Sequence, residues 1–314
     1  MKRKVNRVGI NTLTVSLPSK WAKLHNIKPG DEIDVVEEDK YLRIGTKIKP
    51  LPKSVTVDIT GLDRSSIIYV VQNLYRRGFD EIHVIFKNTT TIHYRLQKEV
   101  TVISVIHKEV NRLVGVEVIQ QKENSCIIKD ISAESEKEFD ALVKRVFFLM
   151  LDMSKDFVKG AKELDKYLIS TIEEKHDSIT KFISYCLRIL NKKGYKEDTA
   201  KTILMYHILA NLDKVTDVFK YSARDILSFK KKLNKETIKI LEKIGKSVYL
   251  YYELFYTYKS DTIQGLWKNR EETLNMIKGM SKKIPSEEIL LVNKTVQALE
   301  LIADLTGSRV GLEY

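Results

Sequence analysis

Two pairs of acidic residues have a spacing that lets both carboxylates of a pair bind one metal ion. Asp213 and Asp217 form the first pair, and Glu300 and Asp304 form the second. Residues four apart on a helix lie about one turn apart on the same face, so their oxygens can converge. Carboxylates alone select weakly among metals, so iron, zinc, magnesium and manganese all fit. The alternative is a solvated acidic face whose charges repel each other mildly, and the sequence leaves both interpretations open.

The two acidic pairs lie in segments that repeat at an offset of 87 residues, as 212–217 (LDKVTD) and 299–304 (LELIAD) show. Apolar residues share this register, namely Ile203 with Leu290, Leu204 with Leu291, and Leu209 with Val296. A shared apolar register that also returns acids at two positions indicates a duplicated unit. We therefore predict an all-α bundle over residues 135–314, made of two three-helix repeats at about 135–231 and 233–314.

This duplicated bundle resembles the PhoU family of phosphate-uptake regulators, whose repeats each carry such an acidic pair before a helix end. The resemblance implies small iron or zinc clusters on the bundle surface, held here by the four acids of the two pairs. It also implies that a phosphate transporter subunit or a signalling protein is a partner. The chain departs from the family pattern at Asp213, where glutamate is usual, and at Thr216 and Ala303, where glycine is common.

The N-terminal region is basic without interruption, because no acidic residue precedes Asp31. Its seven charged residues are Lys2, Arg3, Lys4, Arg7, Lys20, Lys23 and Lys28. The whole chain has a net charge of +12 and a pI near 9.3, which predicts an acidic partner, either a nucleic acid or an anionic membrane surface. A solvated basic tail is the alternative, although such a run without one acid is unusual for a merely solubilising surface.

Residues 1–48 carry the pattern strand, helix, strand, strand. Leu13, Val15 and Leu17 alternate with hydroxyl residues, a short helix is expected from Ser19 to His25, and further alternation follows the KPGD turn at 28–31. So short a unit buries too little surface to fold alone, so pairing with a second copy is expected.

This segment resembles the AbrB/MazE swapped-hairpin fold over residues 12–21 (TLTVSLPSKW) and 27–33 (IKPGDEI). The RKV string at 3–5 with LPSKW at 17–21 further resembles the version found at the front of archaeal PhoU-like proteins. The resemblance implies a homodimer of interlaced hairpins that places a basic face on double-stranded DNA. The expected DNA contacts are Lys2, Arg3, Lys4, Arg7, Lys20 and Lys23.

The middle region, 52–131, is predicted to be a small α/β domain with the order βαβαββ. Asp63 is placed to cap its first helix, and Gly78 suits the left-handed position after that helix. Dimer contact or spacing is its expected role. Basic residues here can extend a nucleic-acid surface, although charges at helix ends are usually solvated, and they are Arg76, Arg77, Lys87, Arg95 and Lys98.

Taken together, these segments predict an α+β multidomain protein that is not an enzyme. The sequence has no GxxxxGK[ST], GxGxxG, GxSxG or HExxH motif. Glu173 and His176 have the spacing of a di-iron half-site, but no second copy follows. The two resemblances together imply a DNA-binding regulator of phosphate uptake, whose bundle couples phosphate or metal status to transcription. A PhoU-like adaptor that does not bind DNA and a metal-assisted phosphohydrolase stay open as alternatives.

The compartment is expected to be the cytoplasm. Cys126 and Cys186 are too few for a disulfide framework and have no CxxC spacing. The longest bulky apolar run, 146–151, is far shorter than a membrane span. We therefore expect a protein that is neither exported nor integral to a membrane.

Overall fold

The computed structural model describes residues 2–38, 41–45, 52–132, 139–196 and 198–314. The chain divides into two compact units, Met1–Pro52 and Lys53–Tyr314. The architecture is α+β, with a small N-terminal β region and a C-terminal helical bundle, and to this extent it confirms the predicted fold class.

The N-terminal unit consists of two β-hairpins and one short helix. Strands β1 (Val5–Val8) and β2 (Thr12–Val15) pair antiparallel, with Val5 opposite Val15. Helix α1 (Ser19–Leu24) follows, and then β3 (Asp34–Glu38) pairs antiparallel with β4 (Tyr41–Gly45). The predicted order lacked β1, because Val5 and Val8 are three residues apart and show no alternation, so this strand is defined only by its pairing with β2.

The second unit begins with a four-stranded sheet in the order β5-β6-β10-β9, in which only β5 and β6 run parallel. Its strands are β5 (Ser54–Asp58), β6 (Glu81–Ile85), β9 (Val116–Lys122) and β10 (Ser125–Asp130). An additional hairpin, β7 (Thr90–His93) with β8 (Lys98–Thr101), follows β6 and was not predicted. Its strands are only four residues long and lie in a polar stretch, so their alternation is weak.

Helices α2 (Arg64–Arg76) and α3 (Val102–Val110) pack against this sheet and share its apolar core. The predicted cap is confirmed, because the Asp63 carboxylate accepts hydrogen bonds from the amides of Ser65 at 2.9 Å and Ser66 at 3.2 Å. The chain leaves α2 through Gly78, which has a φ of +91°. The left-handed conformation there explains why glycine suits the position.

Six helices complete the second unit, in the number that the sequence predicted. They are α4 (Phe139–Glu163), α5 (Lys166–Lys193), α6 (Thr199–Ser228), α7 (Lys235–Tyr256), α8 (Ser260–Met280) and α9 (Ser286–Glu313). The expected capping box of Ser135 and Glu138 ahead of α4 lies outside the described residues. The break between α4 and α5 was not foreseen, and it occurs where Leu164 has a φ of +54° and Asp165 caps α5.

Helix α5 joins the sheet layer to the bundle, because it packs on α4, on α6 and also on α2. Arg188 of α5 is almost fully buried and donates hydrogen bonds to the carbonyls of Tyr75 and Phe79, each at 2.8 Å. Its guanidinium also lies 2.6 Å from the Asp130 carboxylate. Buried polar groups are stable when they are paired in this way. These hydrogen bonds therefore fix the position of α5 against the sheet layer.

None of the described helices is both long enough and apolar enough to cross a lipid bilayer.

Candidate functional site

All six predicted DNA-contact residues lie on the surface of the N-terminal unit. Lys2, Arg3 and Lys4 precede β1, Arg7 lies within β1, and Lys20 and Lys23 lie on α1. Each is exposed, and none forms an ion pair with another described residue. Basic side chains that no acid neutralises leave their full charge available to an anionic partner.

Among the residues of this unit whose burial the structure describes, none is buried, so they form no core of their own. Directly opposed residues of an antiparallel pair project to one side, so Val5, Leu13 and Val15 share a face of the β1–β2 hairpin with Arg7. The three apolar side chains are 46–67% exposed. An apolar face of this kind needs a second surface to cover it.

The carboxylates of the first acidic pair are already bound by other side chains of the chain. Asp213 of α6 is buried and accepts hydrogen bonds from Arg76 at 2.7 Å and from the Thr180 hydroxyl at 2.9 Å. The same Arg76 donates to the Ser184 hydroxyl at 3.0 and 3.1 Å. Arg76 is thus turned into the junction of α2, α5 and α6, and the interpretation of this residue as a nucleic-acid contact is wrong.

Asp217, one turn after Asp213, is also engaged by cations. Its Oδ1 lies 2.6 Å from the Lys220 ammonium and 3.0 Å from Nε2 of His176. Burial alone would raise the pKa of Asp217, but the hydrogen bonds from His176 and Lys220 outweigh it and hold that pKa well below its usual range. Asp217 is therefore an ionised carboxylate inside a polar network.

The second acidic pair is more open. Glu300 of α9 accepts hydrogen bonds from Arg270 of α8 at 2.7 and 2.8 Å. Asp304 is exposed and forms no hydrogen bond with any residue that the structure describes. The two pairs therefore differ in surroundings although their spacing is the same.

As metal ligands, the four acids stay a prediction. Within the described ranges, no cluster of three or more histidine, cysteine, aspartate or glutamate side chains could hold an ion. A cation at the first pair would have to displace Arg76 from Asp213 and Lys220 from Asp217. In the second pair the Asp304 carboxylate is available to a metal ion, whereas the Glu300 carboxylate becomes available only after Arg270 has moved.

Other acids and histidines of the bundle have structural partners. Lys175 bridges Asp152 and Asp156, which have the same spacing of four residues on α4, and Asp156 is largely covered. Glu173 pairs with Arg224 of α6. His207 is exposed, and its Nδ1 shares a hydrogen bond of 2.8 Å with the Ser308 hydroxyl.

Four arginines form a group that the sequence did not reveal, which we call the arginine cluster: Arg64, Arg95, Arg112 and Arg224. Arg64 is the first residue of α2, and Arg95 lies in the short turn between β7 and β8. Arg112 follows α3, and Arg224 lies on α6. Their positions are 31, 17 and 112 residues apart along the chain, so no local motif could have joined them.

Comparison with known proteins bears on the N-terminal unit. Residues 7–53 match the family model described as antidote-toxin recognition MazE, bacterial antitoxin. Neither the comparison with curated proteins nor that with solved structures gave a significant match. The predicted AbrB/MazE-like character is confirmed for these residues, and we conclude that the N-terminal segment of this chain is similar to MazE antitoxins.

Proposed function

We propose that the chain is a DNA-binding regulator that grips double-stranded DNA through its N-terminal unit. The observation that carries this proposal is the set of six exposed basic residues, paired with no described acid, on a segment similar to MazE. Contacts between such side chains and backbone phosphates supply affinity and register. Base specificity then comes from a few further side chains of the same surface.

The DNA-binding form is a homodimer of interlaced N-terminal hairpins. Support comes from the exposed apolar face of the β1–β2 hairpin and from the absence of a buried side chain among the residues of this unit whose burial the structure describes. A second copy would cover Val5, Leu13 and Val15 and so supply the missing core. Two copies also double the number of basic side chains that face one duplex.

The helical bundle is proposed to carry the regulatory input, as a PhoU-like pair of three-helix repeats that links phosphate or metal status to transcription. The helix bounds support a duplication, because α6 and α9 begin 87 residues apart and α5 and α8 end 87 residues apart. Iron, zinc, magnesium or manganese at the acidic pairs belongs to this proposal, as does a cytoplasmic location. Catalysis has no part in it.

A titration of fluorescent duplexes with the full chain tests DNA binding. One duplex comes from the region upstream of the gene and the other is its scrambled counterpart, and each is titrated at several salt concentrations. Loss of three phosphate contacts lowers the salt slope by about 3, so the triple variant Lys2→Ala/Arg3→Ala/Lys4→Ala should bind weakly and with a flatter slope.

The matched control removes the same charge from the loop between α6 and α7, with Lys230→Ala/Lys231→Ala/Lys232→Ala. These three lysines are exposed and lie outside the N-terminal unit. Equal losses in both variants would reduce the effect to net charge and would overturn the proposed interface. Weak binding that is equal for the two duplexes and unchanged in both variants would favour an adaptor that docks on a transporter or signalling protein.

A further inference from the structure

The arginine cluster lies where the sheet layer meets the helical bundle, and hydrogen bonds fix the segments that carry it. The Thr91 hydroxyl donates to the Leu62 carbonyl at 2.6 Å, which holds β7 beside the start of α2. Arg112 lies 2.5 Å from the Asp177 carboxylate and so ties the end of α3 to α5. Arg224 of α6 donates from its Nε to Glu173 of α5 at 3.1 Å. The arginines are therefore presented by ordered segments.

Two of the four arginines have no acidic partner. Within the described part of the chain, neither Arg64 nor Arg95 forms a hydrogen bond or an ion pair. A third donor is also unused, because the Nε of Arg112 is buried without a hydrogen-bond partner. Unpartnered buried donors are rare in folded proteins and call for a ligand or an ordered water.

The nearby acids do not balance the positive charge. Glu173 and Asp177 are each engaged by one arginine of the cluster. Glu109 is the third acid, and it lies 3.4 Å from Arg112 while its Oε1 is buried without a partner. Burial raises the pKa of Glu109 to about 7, so this carboxyl neutralises the nearby guanidiniums less fully than an exposed glutamate would.

The guanidinium charges act on one another across these segments. Burial lowers the pKa of Arg64, and repulsion from Arg95 and Arg112, together with that from Arg224, lowers it further. The hydrogen bond from Arg224 lowers the pKa of Glu173, and the charge of Arg95 adds to this effect. Arg95 therefore lies within electrostatic reach of both α2 and α5.

Converging guanidiniums without matching carboxylates are costly unless an anion joins them. Each guanidinium presents a planar fork of donors that matches the oxygens of phosphate in a bidentate manner. The first residue of the 13-residue helix α2 contributes here as well, since the amino end of a helix carries a partial positive charge. Asp63 already occupies the amides of Ser65 and Ser66, so arginine side chains rather than backbone amides supply the donors.

We propose that the arginine cluster binds a free, multiply charged oxyanion of the phosphate type, held mainly by Arg64, Arg95 and Arg112. The ligand joins the β7–β8 hairpin and the start of α2 to the end of α3 and to helices α5 and α6. This site goes beyond the proposed function and is independent of DNA binding, because all its residues belong to the unit Lys53–Tyr314. Inorganic phosphate and the phosphate group of a small metabolite share the required chemistry.

Isothermal titration of the full chain with inorganic phosphate, at constant ionic strength, tests the site. We expect saturable binding by phosphate and none by chloride at the same concentration. Each charge-assisted hydrogen bond contributes roughly tenfold to affinity, so Arg64→Ala/Arg95→Ala should weaken phosphate binding by about tenfold to a hundredfold. Adenosine monophosphate serves as a second probe, and tighter binding than phosphate would identify a phosphorylated metabolite as the preferred source.

The matched control is Arg145→Ala/Lys155→Ala, which removes two exposed cations from α4 and should leave phosphate affinity within about twofold. A second variant, Arg64→Gln/Arg95→Gln, keeps polar side chains at both positions, and a thermal melt verifies that it is folded. Unchanged phosphate affinity in both folded cluster variants would overturn the proposal. So would absent phosphate binding accompanied by weaker duplex binding in these variants, since the cluster would then be a DNA contact.

Discussion

The guanidinium of Arg76 lies 2.7 Å from the carboxylate of Asp213, and this ion pair joins the first helix of the α/β layer to helix α6 of the bundle. Both side chains are largely buried, at 12% and 9% exposure. Thr180 and Ser184 of α5 complete the hydrogen bonds of the pair. The acid that spacing alone marked as a metal ligand thus holds two layers of the fold together.

Arg76→Ala is expected to destabilise the second unit strongly. The substitution leaves Asp213 buried without its cation, and breaking a buried pair in this way costs about 3–5 kcal/mol of unfolding free energy. Urea unfolding of the full chain, followed by helical circular dichroism, measures the loss. The adjacent Arg77→Ala is the control, because Arg77 is exposed and its guanidinium lies over the ring of Phe79, 5.5 Å from the ring centroid, and it should cost less than about 1 kcal/mol.

A double-mutant cycle separates this ion pair from general damage to the fold. If Arg76 acts through Asp213, the double variant Arg76→Ala/Asp213→Asn loses less stability than the sum of the two single variants. Additive losses would show that the two side chains do not interact, contrary to the structure.

The pair of His176 and Asp217 predicts a stability that depends on pH. Burial lowers the pKa of His176, but hydrogen bonds to Asp177 and Asp217 outweigh it and raise that pKa above 6.5. The stabilisation from charged His176 is therefore fully present below about pH 6.5 and is lost as pH rises through the folded-state pKa. Asp217 has a lowered pKa, so its contribution is present above about pH 4 and is lost as pH falls further.

We expect the stability margin of the wild type over His176→Gln to be largest between pH 5 and 6 and to shrink by pH 8. Urea unfolding at four pH values across this range measures the margin. In an Asp217→Asn background the same substitution should cost less at low pH, because the charged imidazole has lost one acceptor. A margin that is constant from pH 5 to 8 would contradict the proposed protonation.

The sequence predicted the elements of the fold better than its contacts. Apolar periodicity and capping residues such as Asp63 act locally, so α2 and the helical character of the bundle could be recognised from their own segments. The β7–β8 hairpin and the break at Leu164 were not predicted, because short polar strands and a non-glycine residue at positive φ give little recognisable pattern in the sequence.

The partners of the acidic pairs could not be predicted, because they are distant along the chain. Arg76 is separated from Asp213 by 137 residues, and its position at the end of a helix is ordinarily solvated. The arginine cluster could not be predicted either, because its members are also separated along the chain, by 31, 17 and 112 residues. The basic N-terminal surface was predictable because its residues are neighbours in sequence and need no fold to bring them together.

The exposed apolar face of the β1–β2 hairpin predicts that the chain is a dimer in solution. Leu13→Asp/Val15→Asp places two charges in the surface that a second copy would cover, so we expect monomers by light scattering and a parallel loss of duplex binding. Thr12→Asp/Thr14→Asp is the matched control, because those side chains project from the opposite face of the same strand. A wild-type chain that stays monomeric at micromolar concentration would contradict the proposed dimer.

We expect metal binding by the acidic pairs to depend on Glu300 and Asp304 of α9. Asp304 is exposed and unpaired among the described residues, whereas Asp213 and Asp217 already neutralise cations of the chain. We expect Asp304→Asn to lower iron(II) or zinc affinity by about tenfold or more in equilibrium dialysis, with the unfolding free energy unchanged within about 0.5 kcal/mol.

Arg270 provides the sharper half of this test, because it competes with a metal for Glu300. Removing that competitor with Arg270→Ala frees both carboxylates and should strengthen metal binding. If the metal bound elsewhere, this substitution would leave metal affinity unchanged. Glu287→Gln, which removes an exposed acid from the same helix, controls for the loss of one negative charge. Metal affinity that responds to Glu287→Gln as much as to Asp304→Asn would assign the binding to diffuse surface charge, and the α9 pair would then be a solvated acidic face.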